Sequence, residues 1–153
     1  MPTPTAADAE VILKLYDLRR EAEMRKARNW WLVTFWPQSV DDFTKVANAM
    51  GTQENNWIRQ VTGYWEMAAS MVAHGAVHPD LFLEPSFSGE MYFIFAKVRP
   101  FLDELREKLG SPSMLRNVEK VVNLTEESRA RLKQFEARVE SRRKAMAETA
   151  KAS

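Results

Sequence analysis

The sequence has no cysteine. That excludes disulfides, cysteine nucleophiles and thiolate metal sites, and it leaves the redox compartment open. Glycine is scarce, with five residues in 153. There is little material for phosphate-cradling loops, and no dinucleotide fingerprint or Ser-centred nucleophile elbow is present. Histidine occurs only at His74 and His78. Charge of one sign is also lacking: the net charge of +1 sets up no field that would recruit nucleic acid or an anionic membrane. No apolar run approaches the roughly 18–20 residues of a membrane-spanning helix. The run of most interest, Trp30–Trp36, is interrupted by Thr34 and ended by Pro37. The N-terminal stretch has no basic region followed by a long apolar one, so no secretion signal is expected. These features predict a soluble cytoplasmic protein without cofactors, formed as one helical domain over residues 1–153.

What the chain does have is aromatic surface in one place. RNWWLVTFWPQ, residues 28–38, holds three of the five tryptophans and a phenylalanine. Charge is placed unevenly around it. Residues 29–98 carry three basic and seven acidic side chains, whereas residues 124–153 carry eight basic and five acidic ones. The middle of the chain therefore reads as buried and the C-terminal end as a solvated helix.

Thr5, with Asp8 three residues on, starts a first helix. Val11, Leu15, Leu18 and Ala22 are spaced 4, 3, 4 along its apolar face, and Ile12 widens it. This helix is expected to run through Trp30 and Trp31 to Pro37; a short strand over 30–36 is the alternative, disfavoured because no second strand offers to pair with it. Ser39 caps a second helix that stops at Gly51, and Thr52 caps a third that reaches His74 before Gly75. Residues 78–85 read as a turn or one short helix. Ser86 or Ser88 precedes a fourth helical run to Gly110, kinked or split at Pro100. Pro112–Asn123 forms another short helix. Thr125 caps a last helix to about residue 147, with residues 1–5 and about 148–153 fraying.

The third helix is apolar almost all round, and Met91–Ala96 is apolar on every side. Such helices sit at the centre of a bundle. The prediction is an all-α, compact bundle of five to seven helices. Two central apolar helices, roughly 53–74 and 89–109, are clasped by long N- and C-terminal helices.

Three groups of residues are candidates for function. Glu66, Ser70 and His74 share one face of the third helix at i, i+4, i+8. A buried row of this kind, with Tyr92, makes a candidate binding pocket, because burial shifts carboxylate and imidazole pKa values; a polar strip satisfied by solvent or by a neighbouring helix is the plainer reading. His74 and His78 with Asp80, Glu84 and Glu90 have metal-ligand chemistry. Gly75 and Pro79 interrupt the helix between the histidines, and no H-E-x-x-H or E-x-x-H pair is present, so no metal site and no catalytic residue is assigned. The third group is apolar: Trp30, Trp31, Phe35 and Trp36, together with Leu132, Phe135 and Val139 at a/d-like spacing on the last helix. No single helical face holds all the aromatics of 30–36; core alone is the plainer reading, and the alternatives place part of them in the core and the remainder at a homodimer interface or in an apolar pocket with Met67 and Met71. The mixed charges of the last helix mark a solvated face and not a nucleic-acid surface.

AADAEVILKLYDLRR (6–20), GYWEMAASMVAHGAVHPDLF (63–82) and GEMYFIFAKVRPFLDELRE (89–107) together resemble uncharacterised bacterial helical proteins of similar length. The resemblance implies an all-α fold in a bacterial cytoplasm and brings no activity, ligand or site residue. The function expected is a non-enzymatic interaction or structural module that associates as a homodimer. The alternative is a small-molecule-binding protein or enzyme with its pocket near Glu66, Ser70 and His74.

Overall fold

The computed structural model describes residues 2–153. The described residues form nine α-helical segments and no strand. The expected bundle of five to seven helices reaches this number because two of the expected helices are divided and residues 78–85 contain a separate helical turn.

The first division is at residues 19–21. Helix α1 (Ala6–Leu18) opens with the capping box expected at Thr5: the Thr5 hydroxyl accepts from Asp8 N–H and the Asp8 carboxylate accepts from Thr5 N–H. The Thr5 N–H, together with one from the His78 backbone, holds the Asp8 carboxyl below its usual range. Glu21 then accepts from Met24 N–H at 3.0 Å and starts a new helix, α2 (Ala22–Asn29). A side chain able to cap within a helical run competes with the backbone for those N–H groups, which is why one long helix does not form. The break lets α2 turn and lie along α4 (Gln53–Ala73), while α1 touches the single-turn α5 (Pro79–Phe82).

Neither a strand nor an α-helix continues from α2. Trp30–Thr34 is a π-helical turn, closed by Phe35 N–H donating to Trp30 C=O at 2.8 Å. Residues five apart in an α-helix point roughly 140° away from each other. The wider turn brings Trp30 and Phe35 together as stacked rings 4.4 Å apart, with Trp31 edge-on to Phe35 at 5.1 Å. Residues 30–36 are thus gathered by a geometry that neither regular period describes.

Ser39 caps α3 (Val40–Ala47) and Thr52 caps α4, as expected. Helix α4 ends in a Schellman motif. Gly75 has φ +79°, Ala76 N–H reaches Met71 C=O and Gly75 N–H reaches Val72 C=O. Helix α6 (Pro85–Val98) starts earlier than Ser86 or Ser88, because Pro85 fits the first helical position, where no N–H is needed. Pro100 divides the run as expected: a 3-10 turn over Arg99–Phe101 leads into α7 (Leu102–Lys108). Then come α8 (Arg116–Val122) and α9, which starts after the Thr125 cap and runs to Ala152, beyond the expected end near 147.

Helix α4 packs on α2, α3 and α8, and α6 packs on α9 and α8. The two central helices meet through long side chains: Trp65 of α4 lies edge-on to Phe87 of α6 at 5.4 Å. One hydrophobic cluster runs through the fold from Leu15 to Leu132. Among the described residues no helix is long and apolar enough to cross a membrane.

Two glycine substitutions separate backbone strain from packing, since an added Cβ would meet nothing within 4 Å at either site. Gly75→Ala forces a left-handed φ on alanine and should destabilise by about 1 kcal/mol. Gly63→Ala, inside α4, should stabilise by about 0.5–1 kcal/mol. Urea unfolding of both variants checks the pair.

Candidate functional site

The polar row on α4 is divided between a neighbouring helix, its own backbone and the surface. Both Glu66 carboxylate oxygens accept from the start of α8: from Asn117 N–H at 2.9 and 3.0 Å, Asn117 Nδ2 at 2.9 Å and Val118 N–H at 3.0 Å. Helix α8 begins after Leu115, whose φ of 54° lies in the left-handed region and whose side chain cannot cap. A carboxylate from another helix supplies the missing acceptor at the positive end of the dipole. Ser70 bonds locally to Met67 C=O, and His74 is exposed at the C-cap of α4. Tyr92 is buried on α6, where its hydroxyl lies 2.6 Å from Ser128 Oγ and burial raises its pKa. Periodicity placed Glu66, Ser70 and His74 on one face. It carried no information about α8 arriving over that face and taking Glu66.

His78 caps α5, accepting from Asp80 N–H at 3.2 Å. Among the described residues no group of three or more His, Asp or Glu side chains is placed to hold a metal.

The apolar candidates are largely enclosed within one chain. Trp30, Trp31, Phe35, Leu132 and Val139 are buried; Phe135 is half-buried and stacks on Tyr92. Trp36 is half-buried and stands edge-on to Phe93 of α6 at 5.8 Å. Residues 30–36 therefore act first as core, and what they leave exposed is the outer side of Leu32, Val33 and Trp36.

That outer side is one wall of a trough. Leu32, Val33 and Trp36 face Arg138 and Arg142 of α9 across Phe93, around a hollow of about 370 Å³. A second hollow of about 400 Å³ shares Leu32 and Phe93 and continues to Arg19, Arg28, Glu90 and Phe135. Its floor follows α6 through Ser86, Gly89, Glu90 and Phe93, spaced as one helical face. Glu90 is nearly buried there, accepting from Arg28 Nε at 2.7 Å and from Trp65 Nε1 at 2.9 Å. Arg19 donates to Phe87 C=O at 3.0 Å and covers the Tyr16 ring. Arg138 and Arg142 are exposed and form no ion pair among the described residues, so the trough carries surplus positive charge on its α9 side.

Sequence reasoning missed Lys97, which has no exposed surface. Its amino group donates to the carbonyls of Trp31 and Phe35, the latter at 2.6 Å, and lies 3.9 Å from the Trp36 ring centroid and 4.9 Å from that of Phe93. Burial, reinforced by the nearby Arg143 charge, lowers its pKa from 10.5 to about 7. The signal was present in the sequence: Lys97 interrupts a helix whose neighbouring residues are apolar on every side.

With this geometry in place, the chain can be compared with known proteins. Residues 4–125 match the model of the Domain of unknown function (DUF4760). The chain belongs to that family. No curated protein and no solved structure matches it. In this DUF4760 chain the matched span includes α1 to α8 and ends at the cap of α9. The trough is therefore built by family elements on its floor and aromatic wall, and by α9, outside the matched span, on its basic wall.

Two measurements check these assignments. Glu66→Ala strands the N–H groups of Asn117 and Val118 and should cost about 2 kcal/mol in urea unfolding. Lys97 binds its proton more weakly folded than unfolded, so the unfolded chain holds more protons between pH 7 and 10.5. Lys97 should therefore make stability rise with pH from about 7, with no contribution to the slope well below that value. The Lys97→Met variant should lose this rise, measured to about pH 9.5, before tyrosine ionisation begins to oppose it.

Proposed function

We propose that this chain is a non-enzymatic helical interaction module that associates with a second copy of itself through the trough. The observation that carries this reading is the trough itself, an apolar surface left open after the core is complete, with Val33 64% exposed on its wall. The occupant proposed is α1 of the second copy. Helix α1 buries only Leu15 fully and leaves Leu13 68%, Leu18 58% and Tyr16 44% exposed. Glu10 and Asp17 lie at i−3 and i+4 from Leu13, on the flank that would meet Arg138 and Arg142. Lys14 lies beside them on that flank, and Arg20 follows α1 at its C-terminal end. An amphipathic helix laid into a groove sets its apolar anchors at positions such as i and i+3, the spacing that Leu13 and Tyr16 offer.

The trough starts at Arg19, where α1 ends. Exchange of α1 between two troughs is then reciprocal and compatible with a two-fold axis, which closes the assembly at a dimer. The interaction reading is preferred to the small-molecule alternative because the Glu66 carboxylate is engaged by α8. The bacterial, cytoplasmic setting implied by the family resemblance belongs to the same proposal.

Light scattering on a sizing column across a hundredfold concentration range tests it. Wild type should be a dimer that persists on dilution. Leu13→Glu and Val33→Glu, both exposed within one chain, should each give a folded monomer of about 17.7 kDa. A wild-type monomer at every concentration, or a dimer that survives both substitutions, overturns the reading.

A further inference from the structure

Lys97 carries a buried amino group with no carboxylate beside it. The charged groups around it are few. From α9 comes Arg143, which donates to the Lys97 carbonyl at 2.6 Å, lies against Phe101 and feels Glu140. Arg138 and Arg142 lie in the trough with Trp36 and Phe93, the rings that cover the amino group. On α6 itself the flanking charges are committed elsewhere: Glu90 to Arg28 and Trp65, and Arg99 to Glu136. Residues 30–36 contain no titratable group, and α3 contributes Phe43. The charges acting on Lys97 from α9 are thus cationic or already paired.

A neutral amine suits this site better than an ammonium. It retains two N–H donors, and the site presents two carbonyls, Trp31 and Phe35. The third ammonium proton finds only ring faces. Attraction to an aromatic ring contributes on the order of 2 kcal/mol when desolvated, less than the cost of removing an ammonium from water with no counter-ion. The depressed pKa agrees with that balance. Trp36 and Phe93 cover the amino group; both are half-buried and both line the trough.

We propose that Lys97 is a proton-operated latch on the trough. With the amine neutral, Trp36 is closed down on α6 and the wall of Leu32, Val33 and Trp36 is formed. On protonation the ammonium turns towards water, displaces Trp36 and loosens that wall. The latch deepens the docking reading above, since it acts on the same surface, but it is a property of one chain and can be tested without association.

Hydrogen exchange of the amides of residues 30–36 and 38, corrected for intrinsic exchange, is measured at intervals from pH 6 to pH 8.5 on the wild type and on the Leu13→Glu monomer. Both should be protected several-fold more strongly at pH 8.5. Lys97→Met should show the same protection at both pH values. Arg143→Gln removes a repelling charge, so it should move the midpoint of the protection change to higher pH; it tests the latch even if Lys97→Met does not fold. Wild-type protection that is equal at the two pH values, or an unmoved midpoint in Arg143→Gln, overturns the latch. Pronounced pH dependence in a wild type that stays monomeric supports the latch and removes the self-association reading. If association does occur, it should be stronger at pH 8.5 than at pH 6.

Discussion

The amino group of Lys97 donates to the carbonyls of Trp31 and Phe35, which the π-helical turn leaves without helical partners. Those two bonds tie the end of the aromatic segment to the C-terminal half of α6. Without a donor there, two buried carbonyls would lose their partner, and each such loss costs about 1–3 kcal/mol. The aromatic core depends on this tie. Trp30, Trp31, Phe35 and Phe43 are mutually packed only while the turn keeps its wider pitch, and α3 and α4 pack against the resulting ring cluster. The chain thus places its most costly ionisable group where backbone satisfaction of an irregular turn requires a long, straight donor.

The same device of one helix completing another recurs away from Lys97. Glu66 of α4 supplies the N-terminal acceptors of α8, Tyr64 of α4 donates to Leu15 C=O near the end of α1, and Arg131 of α9 donates to Leu83 C=O beyond α5. Helix ends expose backbone groups that need partners. Here many of those partners are side chains from distant parts of the chain, so helix termination and tertiary packing are coupled. This explains why single helices such as α8, seven residues long and led by a left-handed leucine, exist at all.

Much of the architecture could be read from residues acting locally. The caps at Thr5, Ser39, Thr52 and Thr125, the left-handed Gly75 and the division at Pro100 are decided by chemistry within four residues, and each lies where the sequence places it. The break before α2 and the π turn were not legible. The first depends on Glu21 capping in competition with helix continuation, and the second on a packing solution for three large rings. For the candidate row on α4 the shared face was legible and the partners were not: Glu66 is engaged from 51 residues along the chain, Ser70 bonds back to Met67 C=O, and His74 is exposed. Lys97 and Glu90 were visible as charged residues bounding an apolar run, but their burial was not, because periodicity marks polarity on a face and these two are polar groups inside an apolar one.

The π turn has a consequence for how the chain can vary in length. Connections between helices ordinarily accept an inserted or deleted residue. Residues 30–34 lie between α2 and α3 and look like such a connection. Removing one residue would restore α-helical spacing and rotate everything after it by roughly 100°. Phe35 would leave Trp30, and its carbonyl would leave Lys97. Adding one would do the reverse. The stretch is therefore a counted segment, in which residue number is as constrained as residue type, and chain-length variation is confined to the turns on either side of it.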